Sequence, residues 1–564
     1  MAVSPGRAWL PFILPLLAGA IVAGAVVYGM ALRLPHPYDL EWMEGGQLTH
    51  AWRILHGRPL YPEPGPDWIP YIYPPGQPAI VAGLGGLFGL SLPLGRAVSW
   101  FGTALAAGSL VALVVRQGVG PARWPAGIVA AMLYLSCWWP GGAFFDLVRP
   151  DALALGLLLL ATALALERRP GLQIAGGLLL ALAFVVKHNM AAFGPAIALG
   201  LLARDGWRSG LRFGVAAAVP AGLTAVALHL ATGTFLTYLL VVPASHGTVG
   251  LRIVPGTPWE LGDALPAAGL LATGAALLAV TETLSGRTRW IVRISALILS
   301  AGVGGIGLLL PAGGVRATTG GAFAGMAAVA LGLVVLGIAS VVRVRGGTLP
   351  RGFALTSGIG LTALVVAAWM RGHHGGFVNV YLPLFAAVSL GAGLALTWLA
   401  RRPVLAWLAG GLIAAQLLLA WWQLPLDRLV PTGADRVAGE QVVEALREVD
   451  GPVWSPISPW LPVLAGHEPG PHLIAVWDVA NHRDGPWPRS RQQLTAAVKA
   501  HHWGAIVQGS DPVEFGVKEA YVQQRRFRLG AGLRPKTGWG NRPSSLWVPA
   551  PSRGGGTDEA APPR

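Results

Sequence analysis

The chain has 564 residues, of which 53% are hydrophobic and only 12% charged, with a mean hydropathy of +0.56. A soluble globular protein carries about 25% charged residues, so this composition excludes one and indicates a polytopic membrane protein. The formal net charge of +15 does not indicate nucleic-acid binding, because the arginines sit in short clusters between apolar runs, the pattern of positive-inside topology.

The first run, Trp9 to Leu32, is too long for a signal-peptide core and lacks a convincing cleavage site, so it reads as a retained helix. Taking about 20 apolar residues per crossing, the spans fall near 9–32, 94–115, 124–140, 151–166, 172–188, 190–203, 211–231, 265–283, 290–310, 321–342, 352–370, 378–399 and 403–423. Thirteen helices of this kind make a mainly α membrane bundle over residues 1–425. Basic clusters occupy alternate connections, at Arg116/Arg123, Arg168/Arg169, Arg204/Arg208/Arg212, Arg287/Arg289/Arg293, Arg343/Arg345/Arg351 and Arg401/Arg402. That alternation predicts a cytoplasmic N-terminus. The connections 33–93, 141–150, 232–264, 311–320 and 371–377 then face outward, as does everything after the last span. Within the first external loop, 33–93, Gln77 to Leu90 is apolar but too short to cross and is bracketed by prolines. It reads as an interfacial helix. The single cysteine, Cys137, allows no intrachain disulfide.

Beyond the bundle, residues 426–550 read as a small soluble α/β domain. Its elements are an amphipathic helix at Ala434–Val449, strand-like runs PVWSPI, HLIAVW and WGAIVQG, and a second helix at Arg491–His501. The histidines of this region, His472 among them, show no spacing that implies a site. The Gly/Pro-rich tail, 551–564, has a disordered composition.

Four outward segments carry chemistry. In PHPYDLEWMEGG, Asp39, Glu41 and Glu44 gather three carboxylates beside hydrocarbon, where charge is costly. A helix would bring Glu41 and Glu44 onto one face. Such acids serve as a general base, as metal ligands or as partners of a cation; alternatively they complement a helix dipole. The rigid IPYIYPPGQP that follows, with Tyr73, has the character of a pocket wall. The second segment, FFDLVRPD, holds Asp146, Arg149 and Asp151. Arg149 suits a phosphate in fork geometry, or a local Arg–Asp pair that neutralises itself. Third, Lys187 and His188 end an apolar run on the outer side, against the usual bias. The lysine either snorkels or binds a lipid phosphate as a point charge. Last, RGHHGGFVNVY contributes Arg371, His373, His374, Asn379 and Tyr381, with His246 and Arg252 as weaker partners of the same type. Neither HxH nor HxxxH spacing occurs there, so no metal site is expected, and no P-loop, GxGxxG or GxSxG points to a cofactor.

The acidic motif after the first span, the GRPLY segment, the YPP motif, the RxD-like turn in FFDLVRPD and the lysine in VVKHN together resemble the GT-C membrane glycosyltransferases. More narrowly, they resemble bacterial protein O-mannosyltransferase and lipid A aminoarabinose transferase-like members. The resemblance implies a multi-pass protein of the bacterial inner membrane. It implies inverting transfer of a sugar from a polyprenyl-phosphate donor to a lipid, glycan or protein acceptor on the outer face. The family's base maps best to Asp39, with Glu41 and Glu44 as alternatives, because Leu40 interrupts the usual Asp-Glu pair. Lys187 would hold the donor phosphate, helped by Arg149 or by Arg371, His373 and His374. The competing readings are a transporter or flippase of a lipid-linked saccharide and a non-catalytic membrane assembly protein. A flippase would show charges at mid-membrane and repeat symmetry, and neither is evident in the sequence.

Overall fold

The computed structural model describes residues 7–281, 353–480 and 485–551. The expected spans 290–310 and 321–342, and the tail from 552 onward, lie outside them. Helices dominate. The first nine are α1 (Ile13–Arg33), α2 (Glu44–Leu55), α3 (Gly76–Phe88), α4 (Leu92–Gln117), α5 (Arg123–Ser136), α6 (Pro150–Ala165), α7 (Pro170–Val186), α8 (Phe193–Asp205) and α9 (Trp207–Thr232). Apolar helices at Pro266–Thr281, Phe353–Gly372, Leu382–Leu399 and Pro403–Trp422 complete the described bundle. Among the described residues, five helical stretches are long and apolar enough to cross a membrane: Trp9–Arg33, Leu92–Gln117, Trp207–Thr232, Val378–Leu399 and Pro403–Trp422. Others, such as α6 and α7, are equally apolar but shorter.

Small residues let these helices touch backbone to backbone, which is how helices associate when lipid removes the hydrophobic drive. A Cβ added at Gly102 of α4 would meet the Leu153 backbone at 2.5 Å, and one at Gly156 of α6 would meet the Gly102 carbonyl at 2.4 Å. This close contact fixes the start of α6. Arg149 is its extended N-cap and Pro150 its first residue, where a missing N–H costs nothing.

The connections sort into two mutually bonded sets. At one end, Arg116 pairs with Glu167 at 3.1 Å, Arg168 pairs with Asp205 at 3.4 Å, and Arg204 donates to the Leu166 carbonyl at 2.7 Å. At the other end, Thr234 donates to the Tyr61 carbonyl, Tyr238 to Pro62, and Thr537 to Gly142, while the His374 N–H donates to Gly247. The second end holds the expected outward loops and the C-terminal segment together.

Residues 433–549 carry helices Gly433–Arg447, Trp460–Ala465, Leu473–Ala480 and Ser490–Lys499, plus four strands: β1 (Val453–Trp454), β2 (Ala505–Gly509), β3 (Tyr521–Arg526) and β4 (Pro543–Pro549). The sheet order is β1-β2-β4-β3, with β1 parallel to β2 and the other pairs antiparallel. HLIAVW, expected as a strand, lies in the helix Leu473–Ala480. Its buried residues Leu473, Val476 and Val479 recur every three, and a short apolar run does not separate the two periods by itself.

Candidate active site

The segment 34–43 crosses the end of the bundle, and its acids do not share a helix face as the spacing suggested. Helix α2 begins only at Glu44, leaving Asp39 and Glu41 in the turn before it. Each acid therefore meets a different environment.

Glu44 is fully buried and fully engaged. Arg96 of α4 grips it with two bonds, Nε to Oε1 at 3.0 Å and Nη2 to Oε2 at 2.8 Å. The Val148 and Leu40 N–H groups donate to the same carboxylate at 2.9 and 2.7 Å. These donors hold the Glu44 carboxyl below its ordinary pKa despite burial. Arg96 also donates to the carbonyls of Arg33, His36 and Tyr38. One cation thus ties the whole acidic turn to α4. Asp146 is also buried, pairing with Arg33 at 3.0 Å and accepting from the Trp138 indole at 3.0 Å. The Glu44–Arg96 pair is an anchor, since a buried ion pair with its hydrogen bonds satisfied fixes geometry and leaves little for a substrate, whereas Arg33 Nε and Nη1 and Asp146 Oδ2 are buried without a hydrogen-bond partner.

Glu41 and Asp39 differ from Glu44. Glu41 pairs with Arg149 at 3.4 Å and accepts from the Met43 N–H at 3.2 Å. Burial nonetheless pushes its carboxyl up to about 7. The Asp39 Oδ1 oxygen is buried without a hydrogen-bond partner. Burial, with the neighbouring Glu44 charge, pushes the Asp39 carboxyl up to about 8. The two glycines of MEGG make this possible. A Cβ at Gly45 would lie 2.7 Å from Asp39 Oδ1, and one at Gly46 would strike the Tyr71 hydroxyl at 1.8 Å.

The cations form the next layer. Arg149 turns away from both acids of FFDLVRPD toward Glu41, with Met43 Sδ at 2.8 Å and the Tyr73 hydroxyl at 3.5 Å from its nitrogens. It lies over the rings of Tyr73 and Phe144, at 5.8 and 5.4 Å. Its Nε is buried and unpaired. Lys187 does not snorkel: it is buried, and its Nζ lies 2.7 Å from Asp151 Oδ1, which also accepts from Asn379 Nδ2 at 2.7 Å. Asp151 Oδ2 is left without a partner. Arg149 feels both Glu41 and Asp151, so the two ion pairs form one electrostatic unit. His188, beside Lys187, keeps a buried Nδ1 with no hydrogen-bond partner.

The last loop lies apart from this unit. Arg371 is clamped to Glu260 by bonds of 2.8 and 2.6 Å, and it donates to the Gly376 carbonyl at 2.7 Å. His373 Nε2 lies 2.9 Å from His246 Nδ1, and His374 is exposed. Of that segment only Asn379 reaches Asp151. Among the described residues no cluster of three or more acids, histidines or cysteines could hold a metal.

Several participants carried no sequence signal. Arg96 sits inside an apolar span and Arg33 at the end of another, where each reads as a topology residue. His472 is buried against Trp42, donating from Nε2 to the Trp42 carbonyl at 2.9 Å, and burial pushes it down to about 3. The C-terminal segment also reaches over the acids. The Lys536 N–H donates to the Leu40 carbonyl at 2.7 Å, and Gly538 sits against Glu41 and Trp42. Spacing cannot reveal a contact between positions so far apart in the chain.

No family model matches this chain, and no curated protein does. Two solved structures align over most of it, both of ArnT from Cupriavidus metallidurans, lipid A aminoarabinose transferase, the type of protein the sequence resemblance named. The apo structure aligns at 14% identity over 94% of this chain and 97% of that one, with a TM-score of 0.45. The structure bound to undecaprenyl phosphate aligns at 16% identity over 98% and 99%, with a TM-score of 0.43.

Proposed function

We propose that this protein transfers a sugar from a polyprenyl-phosphate donor to an acceptor at the outer face of the inner membrane, with inversion at the anomeric carbon. The observation that carries the reading is the division of labour among the buried charges. The Glu44–Arg96 pair is a saturated anchor, and Asp146–Arg33 is a second buried ion pair. Beside them, Asp39 keeps an unpaired carboxylate oxygen, and Arg149 and Lys187 keep cationic donors next to orphaned polar atoms. Orphaned buried polar groups are costly, so a ligand that satisfies them is the economical explanation.

In this reaction the acceptor oxygen forms a bond to the anomeric carbon as the bond from that carbon to the phosphate oxygen breaks. The bonding pair leaves with the phosphate. Arg149 and Lys187 receive the growing negative charge, where preorganised cations in a water-poor site act most strongly. Asp39, in its ionised form, takes the acceptor's hydroxyl proton. Its elevated pKa suits a base that must hold that proton near neutral pH. Glu41 keeps Arg149 aimed at the phosphate, and Glu44 keeps the turn in register. Tyr73 packs against the Arg149 guanidinium and Asn379 orients Asp151. The activated donor makes nucleotide binding and a cofactor unnecessary.

The test is release of polyprenyl phosphate from a cell-derived pool of lipid-linked sugars by protein in proteoliposomes. Asp39→Asn is expected to lower that release by about 10²–10⁴-fold, the usual worth of a general base. Unchanged release with Asp39→Asn would sink the reading. A flippase would give altered lipid flux with no release at all.

A further inference from the structure

Buried polar atoms without partners gather on three chain segments that meet at the cations. Gln77 is 1% exposed, and neither end of its amide, Nε2 or Oε1, has a hydrogen-bond partner. Arg149 Nε, Asp151 Oδ2, His188 Nδ1 and Asn189 Oδ1 are buried in the same condition. The backbone brings these positions together. Gln77 is the second residue of α3, and the YPPG turn before it is seated between the two cationic segments. On one side, the Tyr73 hydroxyl lies 3.5 Å from Arg149 Nη2. On the other, a Cβ at Gly76 would meet the Val185 carbonyl oxygen at 2.5 Å and the Val186 nitrogen at 2.8 Å. Lys187 is the next residue, the extended cap of α7, and His188 and Asn189 follow in a 3-10 turn. The entry to the turn is fixed as well. The Tyr71 N–H donates to His50 Nε2 at 2.8 Å, and the Tyr71 hydroxyl donates to the Met43 carbonyl at 3.2 Å.

We propose that the Gln77 amide binds a hydroxyl of the donor's sugar and is a specificity-determining residue of the donor site. The proposal rests on the glycosyl-transfer reading and adds to it what recognises the sugar as distinct from its lipid phosphate. Burying an amide with both ends unmade is costly, so a ligand that completes it is the economical explanation. Both ends are empty, which selects the ligand's chemistry. A hydroxyl donates and accepts at once, whereas a phosphate oxygen only accepts and an ammonium only donates. The sugar is bonded to the phosphate that Arg149 and Lys187 would hold, so its hydroxyls fall beside those two cations. Gln77 stands on the segment that touches both. A site built to bond a hydroxyl also rejects an analogue that lacks it, because the buried amide is then left unpaired.

Displacement of radiolabelled polyprenyl phosphate from the full chain in proteoliposomes tests this, with no acceptor added. The competitor is either unlabelled polyprenyl phosphate or a cell-derived pool of lipid-linked sugars. Gln77→Met keeps the length of the side chain and removes the amide, and Gln77→Leu is run beside it. Both variants are expected to bind polyprenyl phosphate within twofold of the unaltered protein. The amount of pool needed for displacement should rise about tenfold or more, the worth of a hydrogen bond whose partner stays buried. Melting temperatures should hold or rise, since an unpaired buried amide contributes nothing to the fold. An equal loss with both competitors would assign the amide to the phosphate and overturn the proposal. So would an unchanged pool curve, as a trapped water would give, or a fall of several degrees in melting for both variants. If the pool fails to displace the probe from the unaltered protein, the transfer reading falls. If it displaces the probe equally from the variants, only the role of Gln77 falls.

Discussion

Asp39 and Glu44 are five residues apart and have opposite electrostatic fates. Glu44 accepts from a guanidinium and two backbone N–H groups, and Asp39 Oδ1 accepts from nothing. The contrast gives two expectations. Turnover should rise with pH and level off above about 8, as the Asp39 carboxyl ionises, and a pH profile of polyprenyl-phosphate release reads this directly. Stability should run the other way. The folded chain holds a proton on Asp39 that the unfolded chain releases near its ordinary pKa of 3.8, so the fold loses stability as pH rises from there to about 8. Asp39→Asn removes that slope, and melting curves across the window would show it flattened. Glu44→Gln, by contrast, leaves the buried Arg96 cation without its counter-charge. It should cost on the order of 3–5 kcal/mol, seen as a large drop in melting temperature, with little protein reaching the membrane.

At the scale of elements, the site depends on helices that approach more closely than side chains allow. The Gly102–Gly156 contact sets the height of α6, and α6 carries Arg149 at its cap and Asp151 in its first turn. Gly156→Leu should force α4 and α6 apart and lower activity at least tenfold, with the acidic turn still held by Arg96. Titration with inorganic phosphate would locate the loss on the cationic side. The helices were legible because long apolar runs have few other readings, although five of the described ones are long and apolar enough to cross a membrane, and the acids and Lys187 stood out because charge beside hydrocarbon is rare. The roles within the cluster were not. Arg96 and Arg33 look like ordinary arginines of a basic protein, and only folding shows that each closes on a specific carboxylate. The helix Leu473–Ala480 was read as a strand because eight residues hold barely two turns of periodicity. Strands β3 and β4 were missed for the opposite reason. β3 exposes nearly its whole length, YVQQRR, and so lacks the alternation that marks a half-buried strand.

For the whole molecule, the bonds among connections divide the ends of the bundle into two separate surfaces. Arg58 pairs with Glu468, and His502 reaches Asp67 at 2.7 Å, so the first loop and the C-terminal segment share one of them. The exposed arginines Arg168 and Arg169 lie at the other. Cys137 is buried, so single cysteines can be introduced elsewhere against a silent background. Cysteines at Glu63 and Lys518 should react with an impermeant maleimide in intact cells, and one at Arg169 only after permeabilisation. The reverse pattern would invert the orientation and remove an outward-facing reaction.

The hydrogen bond from the Lys536 N–H to the Leu40 carbonyl joins two segments that lie 496 residues apart in the chain. At about 5–20 residues per second, tens of seconds separate their emergence from the ribosome. Until the second arrives, Glu41 and Trp42 lack the cover of Gly538 and Trp539. A half-made bundle therefore carries an acidic turn that the C-terminal strap has yet to close over.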